Sequence, residues 1–488
     1  MDQEKQREQP LAEVEKDFGF VPNLKEEMDQ NRHGLSFLGE NQINEQLHSF
    51  DPSNDELVGS VAITPLESIG EIVARAHSAA TSWKNIGITR RMEMVMQAFA
   101  GMEPHMTTLA ELISREMGKD IRRANGEVSG TAYSGVYIAQ ATNEALGPRR
   151  LSAETRVEYK PLGVAAVISP WNYPLAMANN LIVPALVAGN TVVFKPSEET
   201  PLVAKDYVDI LNRNLPEGVL EVVFGDAKQG KALVESDVNL VAFTGSMAAG
   251  KDIMARSASG LKRLIMELGG NDPMIVLNDA DINSAARFAV ASSFENAGQM
   301  CTSTERIYVD AGIADVFESR VVEIARTYRV GPWNEPGVNI GPLVNARQHA
   351  KVLKHIQDAE DKGARMLLGG SDQPKRYIHP TVIADMSPEM LLEREETFGP
   401  VVAMSRFKNV EDAIERANAT DYGLGAVVFG KAEANRVADQ VEAGMVGINQ
   451  GVGGMGDAPW VGAKQSGFGF HGSADGHRLF AQTRVVNS

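Results

Sequence analysis

The segment GVAAVISPWNYPLAMANNLIVPALVAGNTVVFKPSEETP (163–201) decides the fold. Its two short apolar runs, GVAAVIS (163–169) and NTVVFK (190–195), are nearly unbroken and rich in Val. Strands buried on both faces of a parallel sheet need that pattern, whereas half-exposed strands alternate. Outward from this segment the same text repeats as LEVVFG (220–225), LVAFTG (240–245) and PMIVLN (273–278). Helical text lies between the runs, for example Thr200 to Leu215 and Gly250 to Ala258. Alternating βα units predict a doubly wound, nucleotide-binding sheet.

A second βα series follows, with helical text at Ile282 to Phe294, Asp315 to Tyr328 and Ala346 to Gly363. The runs ERIYV (305–309), RMLLGG (365–370) and VVFG (427–430) read as its strands, with a helix over Ala432 to Val441. It predicts a second α/β domain. Before 163, the text from about 36 to 145 reads as mostly helical, with three- and four-residue apolar spacing over Ile69 to Trp83 and Arg91 to Met117. Residues 1–35 read as a polar N-terminal extension. ETRVEYK (154–160) reads as a β-arm, and Arg478 to Val486 as a short helix and strand.

The 488 residues suggest two or three domains, and 43% hydrophobic with 23% charged residues is ordinary globular usage. A net charge of −17 argues against a grip on nucleic acid or anionic membrane. No apolar run is long enough to span a bilayer, and the charged N-terminus lacks a signal-peptide core. The chain has one cysteine, so no internal disulfide can form, and a cytoplasmic location is expected.

That cysteine, Cys301, stands in ENAGQMCTST (295–304) among small and polar residues. Alone it can be an inert small hydrophobe. Five other segments bracket it. In ISPWNYP (168–174), Asn172 follows a buried strand, where α/β sheets place ligands, and an amide held there can stabilise an oxyanion. In VVFKPSEETP (192–201), Lys195 and Glu198 can both bond a ribose, although an ordinary capped helix start explains the segment equally well. VAFTGSMAAGK (241–251) spaces Gly245 and Gly250 as GxxxxG and fails the GxGxxG dinucleotide test, yet Ser246 and the helix-start amides can meet a pyrophosphate. In ELGGN (267–271), Glu267 sits between Met266 and Leu268, where desolvation would raise its pKa and make it a usable base. EETFGP (395–400) offers Glu396 for a second ribose and Phe398 as a ring for a nicotinamide.

Taken in this order, PWN, FKPSE, FTGS, ELGGN, GQxC, EExFGP and the late stretch Pro459 to Gly469 resemble the NAD(P)-dependent aldehyde dehydrogenase superfamily from about Ser49 onward. The resemblance implies an aldehyde dehydrogenase-like α/β fold of two Rossmann-like domains with a β-arm that joins subunits into a homodimer or homotetramer. The implied division is 36–144 with 160–266 for the cofactor, 267–455 for catalysis, and 145–159 with 456–488 for oligomerisation. It further implies Cys301 as nucleophile, ionised and facing the nicotinamide, Glu267 as general base and Asn172 as oxyanion donor. Trp171, Lys195, Glu198, Gly245, Ser246, Gly250, Glu396 and Phe398 would hold the cofactor. The carboxylate of Glu198 would repel a 2′-phosphate, so NAD is expected over NADP, with Lys195 pulling the other way.

Two features depart from the family pattern. The helix after Asn172 reads MANNL, with Leu181 where many relatives have lysine, which removes a proton relay through that site. The loop GVGGMGDAPW (451–460) is glycine-rich where relatives place bulky side chains. Tyr173, Met177, Met300 and Trp460 would then line an apolar pocket, and with no arginine among them a medium-chain or aromatic aldehyde is expected. The alternatives are a semialdehyde dehydrogenase, a CoA-acylating enzyme, which would not need Glu267, and a non-catalytic binding protein. His471 and His477 are expected at the surface, with no metal role.

Overall fold

The computed structural model describes residues 42–43, 45–453 and 458–488; the expected N-terminal extension and the middle of the glycine-rich loop lie outside them. The region expected to be mostly helical opens on a hairpin of β1 (Gln46–Phe50) and β2 (Leu57–Ala62). Four helices follow: α1 (Ile69–Asn85), α2 (Ile88–Ala100), α3 (Met106–Met117) and α4 (Ile121–Ala145). The single apolar period expected over 91–117 is broken after Ala100 by Gly101 and a short turn holding Pro104.

Next come β3 (Thr155–Pro161), β4 (Val164–Ile168), α5 (Pro174–Ala188), β5 (Thr191–Lys195) and α6 (Pro201–Asn212). The series continues as β6 (Leu220–Val222), α7 (Ala227–Glu235), β7 (Leu240–Thr244), α8 (Met247–Ser257) and β8 (Arg263–Glu267). Parallel pairing of these strands builds a sheet in the order β8-β7-β4-β5-β6. Along β4 and β5, Ala165, Val167, Val192 and Phe194 enter one apolar core, while Val164, Ala166, Ile168 and Val193 enter another. Both faces are covered, which is why the strands carry no polar alternation.

After a four-residue crossing, the chain starts a second sheet with β9 (Asp272–Val276), α9 (Ile282–Phe294), β10 (Thr304–Asp310) and α10 (Ala314–Ala325). Helix α11 (Ala346–Asp361) and strands β11 (Arg365–Leu368), β12 (Thr381–Ala384), β13 (Val401–Phe407), β14 (Gly425–Phe429) and β15 (Met445–Ile448) complete it. The order is β11-β12-β13-β10-β9-β14-β15, parallel except for β11. The helix expected over 432–441 is only Ala434–Ala438. Late in the chain, β16 (Gly467–Phe468) returns to pair antiparallel with β8, setting Gly467 opposite Glu267. Finally β17 (Ala481–Asn487) pairs with β3 along seven residues.

One expectation is overturned. His471 and His477 are 4% and 3% exposed, not surface residues. His471 exchanges backbone hydrogen bonds with Trp460 and stacks on its ring at 6.4 Å, and burial pushes its pKa down to about 4. A polar-looking tail is internal here because that bridge ties it under the loop that carries Trp460.

Candidate active site

Four of the five bracketing segments meet the cysteine run in one cleft of about 460 Å³ between the two sheets. Its lining includes Trp171, Asn172, Tyr173, Met177, Gly245, Ser246, Glu267, Met300, Cys301, Glu396, Phe398 and Trp460. Lys195, Glu198 and Gly250 are placed elsewhere. Lys195 and Glu198 lie at and just beyond the carboxyl end of β5 and pair with each other at 3.3 Å. Gly250 is buried in α8, where a Cβ would lie 2.7 Å from the Leu268 side chain, so close packing accounts for that glycine.

Cys301 is delivered by an unusual backbone. After α9, Asn296, Ala297 and Gly298 take φ of 51°, 58° and 73° in succession. Left-handed residues in a row reverse the chain sharply. At Gly298 a Cβ would lie 2.0 Å from the carbonyl oxygen of Gly399, so the thiol loop and the EETFGP loop touch backbone to backbone. The latter loop is clamped from three sides. The Glu305 carboxylate accepts from the Thr397 and Phe398 N–H groups, the Gln348 amide donates to both carbonyls, and Phe398 meets Trp171 edge-on at 5.6 Å. Glu396 accepts from the Gly270 N–H at 3.0 Å, and a Cβ at Gly269 would collide with that carboxylate.

Asn172 ends the β4 turn. Its side-chain amide donates to the Gln299 carbonyl at 3.1 Å, and its own carbonyl accepts from the Asn296 side chain at 3.1 Å. An amide nitrogen carries two hydrogens, so one remains for a ligand. Glu267, at the end of β8, is 4% exposed, and the Cys301, Trp460 and Thr244 side chains face its carboxylate. Burial raises its pKa, as expected from its apolar neighbours. The thiol itself differs from expectation. Burial first, then the Glu267 carboxylate, push the Cys301 pKa well above the ordinary thiol value, so the resting sulfur is protonated rather than ionised.

Further residues bear on the cleft, some within the motifs and some outside them. Arg347, Gln348 and Lys351 line it from the first turns of α11, and their one signal in sequence was a polar group at helical spacing. Thr302 lines it with a buried hydroxyl that has no partner, and Thr244 and Trp460 line it facing the Glu267 carboxylate. Lys119 and Glu127, far upstream, lie beneath the Asn172 loop.

The chain matches the aldehyde dehydrogenase family over residues 37–486. It is 39% identical to a mitochondrial succinate-semialdehyde dehydrogenase of Oryza sativa subsp. japonica over 447 residues, covering 89% of this chain and 85% of the relative. It is 35% identical to a succinate-semialdehyde dehydrogenase of Escherichia coli (strain K12) that is named for NADP(+), covering 89% and 93%. A crystal structure described as an E. coli NADP-dependent enzyme superposes with a TM-score of 0.87 at 33% identity, covering 92% of this chain and 97% of that one. The chain belongs to the aldehyde dehydrogenase family and is an NAD(P)-dependent oxidoreductase with that family's α/β fold.

Proposed function

We propose that the enzyme oxidises a semialdehyde to the dicarboxylic acid through a covalent adduct on Cys301. The observation that carries the chemistry is the convergence of Cys301, Glu267 and Asn172 on one cleft. The residues there fit a dinucleotide: the buried Thr302 hydroxyl stands without a partner, and Gly245 keeps the wall bare above Phe243. Arg347 and Lys351 would meet its phosphates and Glu396 a ribose. Lys195 offsets the charge of its neighbour Glu198, so use of both NAD and NADP is proposed, rather than NAD alone.

In the first step the Cys301 sulfur bonds to the aldehyde carbon as its proton passes to Glu267. The second Asn172 amide hydrogen and a backbone N–H meet the oxyanion. A bound nicotinamide would supply the hydride acceptor, leaving the acyl group on Cys301 as a thioester. Glu267 releases the thiol proton to solvent and then takes one from water as the water oxygen bonds to the acyl carbon; the C–S bond breaks, the sulfur takes the proton back from Glu267, and the acid departs.

The semialdehyde reading rests on the names of the relatives, and it displaces the expectation of a medium-chain or aromatic aldehyde as first choice. One observation favours the uncharged aldehyde as a second reading. The cation beside the Tyr173 hydroxyl's partner Glu295 is Arg123, and it is already bonded to Glu295 at 2.8 Å and to Asp120 at 2.7 Å. A panel of succinic semialdehyde, glutaric semialdehyde, hexanal and benzaldehyde, each with NAD and NADP, separates the two. At least tenfold higher kcat/KM for a semialdehyde is expected; the reverse order sinks the first reading. Cys301→Ala in the same assay is expected to lose all turnover while still binding nucleotide.

Subunit joining through β3 and β17 is proposed as well, since β17 leaves Val485 61% exposed on the strand that ends the chain. No described helix is long and apolar enough to cross a membrane. A cytoplasmic location is the reading the free thiol favours.

A further inference from the structure

Of the buried ionisable groups that the proposed chemistry leaves unused, one pair touches the catalytic loop directly. Lys119 follows α3, and Glu127 lies in the second turn of α4. Their side chains are 0% and 1% exposed and bonded to each other. Such pairs are weak evidence for stability, because desolvation takes back most of the Coulombic gain. What matters is where the remaining hydrogen bonds go.

The Lys119 ammonium donates to the backbone carbonyl of Asn172 at 2.7 Å and sits 3.7 Å from the centre of the Tyr173 ring. The other Glu127 oxygen accepts from the N–H groups of Leu175 and Ala176, at 3.0 and 3.3 Å. Those are the second and third residues of α5, whose own N-cap position, Tyr173, supplies no side-chain cap. Glu127 therefore caps α5 from a different helix, at the end where the helix dipole favours an anion. Together the two side chains hold both ends of a four-residue stretch, Asn172 to Leu175. The Asn296 amide, from the thiol loop, shares the same Asn172 carbonyl.

We infer that Lys119 and Glu127 are positioning residues for the oxyanion donor: the pair fixes the Asn172 turn against the start of α5 so that the amide faces the Cys301 loop. The inference rests on the proposed role of Asn172. Neither residue is itself part of the cleft lining, so their effect must pass through that turn.

The test compares wild type, Asn172→Ala, and Lys119→Met/Glu127→Gln in both backgrounds. Removing both charges avoids stranding one of them, which would threaten folding. Single-turnover formation of reduced nucleotide is read by stopped flow with an aldehyde that wild type oxidises. Nucleotide affinity is read by tryptophan quenching, and folding by thermal melting. The double variant is expected to melt cooperatively and bind nucleotide within about twofold of wild type, yet transfer hydride on the order of 10²-fold more slowly, as for a misplaced oxyanion donor. In the Asn172→Ala background the same change is expected to cost less than about threefold, since coupled residues are not additive. Lys119→Arg, which keeps the charge, is expected to recover part of the rate. A double variant as fast as wild type overturns the inference, and so does an equal loss in both backgrounds. Asn172→Ala turning over like wild type overturns the oxyanion assignment itself, a result distinguishable from either.

Discussion

The thiol proposed to attack the aldehyde rests in surroundings that disfavour its charged form. Desolvation is the largest cause and Glu267 the next, with Asp272 and Glu396 adding to it. Because Glu267 is itself buried and held toward its neutral form, the sulfur and the carboxylate compete for a low total of negative charge. The chain has no other cysteine, so alkylation by iodoacetamide reports this site alone. A raised pKa leaves little thiolate at neutral pH, so the alkylation rate is expected to keep climbing beyond about pH 9, the ordinary thiol range. Glu267→Gln removes the second-largest cause and is expected to speed alkylation at pH 8 several-fold. A rate that levels off near pH 7 in wild type, or one unchanged by the substitution, contradicts this account. The same variant is expected to accumulate acyl-enzyme, visible by intact mass.

Among the elements, the turn between α9 and β10 carries the most demanding backbone. Gly298 combines φ of 73° with an approach to Gly399 that leaves no room for a methyl group. Left-handed backbone alone costs a non-glycine residue about 1–2 kcal/mol. Gly298→Ala is therefore expected to destabilise the protein by more than about 2 kcal/mol, because the clash adds to the strain. Chemical denaturation measures it, and a loss under about 0.5 kcal/mol would show that the loops can part freely. The bracketing motifs were readable from sequence because each adjoins one end of a buried strand, and local text marks such ends. Arg347 and Lys351 were not, since a polar helix head looks like any solvated surface. Lys119 and Glu127 were invisible for a related reason: a lysine after a glycine and a glutamate within a helix read as exposed residues, and only packing buries them.

At the scale of the whole molecule, the active site exists only where the two sheets meet. Glu267 ends β8 of the first sheet, Asp272 begins β9 of the second after four intervening residues, and a strand beside Glu267 comes from the far end of the chain. The last strand, β17, covers β3 along its full length. Deleting residues 481–488 uncovers that arm, and light scattering is expected to show the mass falling to that of one chain, with oxidation reduced. An unchanged mass would place the subunit contact elsewhere.

The amino-acid order by itself determined the two βα series, their buried strands and the motif set that marks the family, because burial on both faces and chain reversal leave local marks. It misjudged His471, which is buried because a distant Trp460 pairs with its backbone. Nor could it supply the surroundings that bear on the Cys301 thiol. The thiol loop offers small and polar neighbours, whereas the field on the sulfur comes from Glu267, Asp272 and Glu396, carried on other segments. Charge state depends on desolvation and on charges close in space, and only the tertiary structure brings those together.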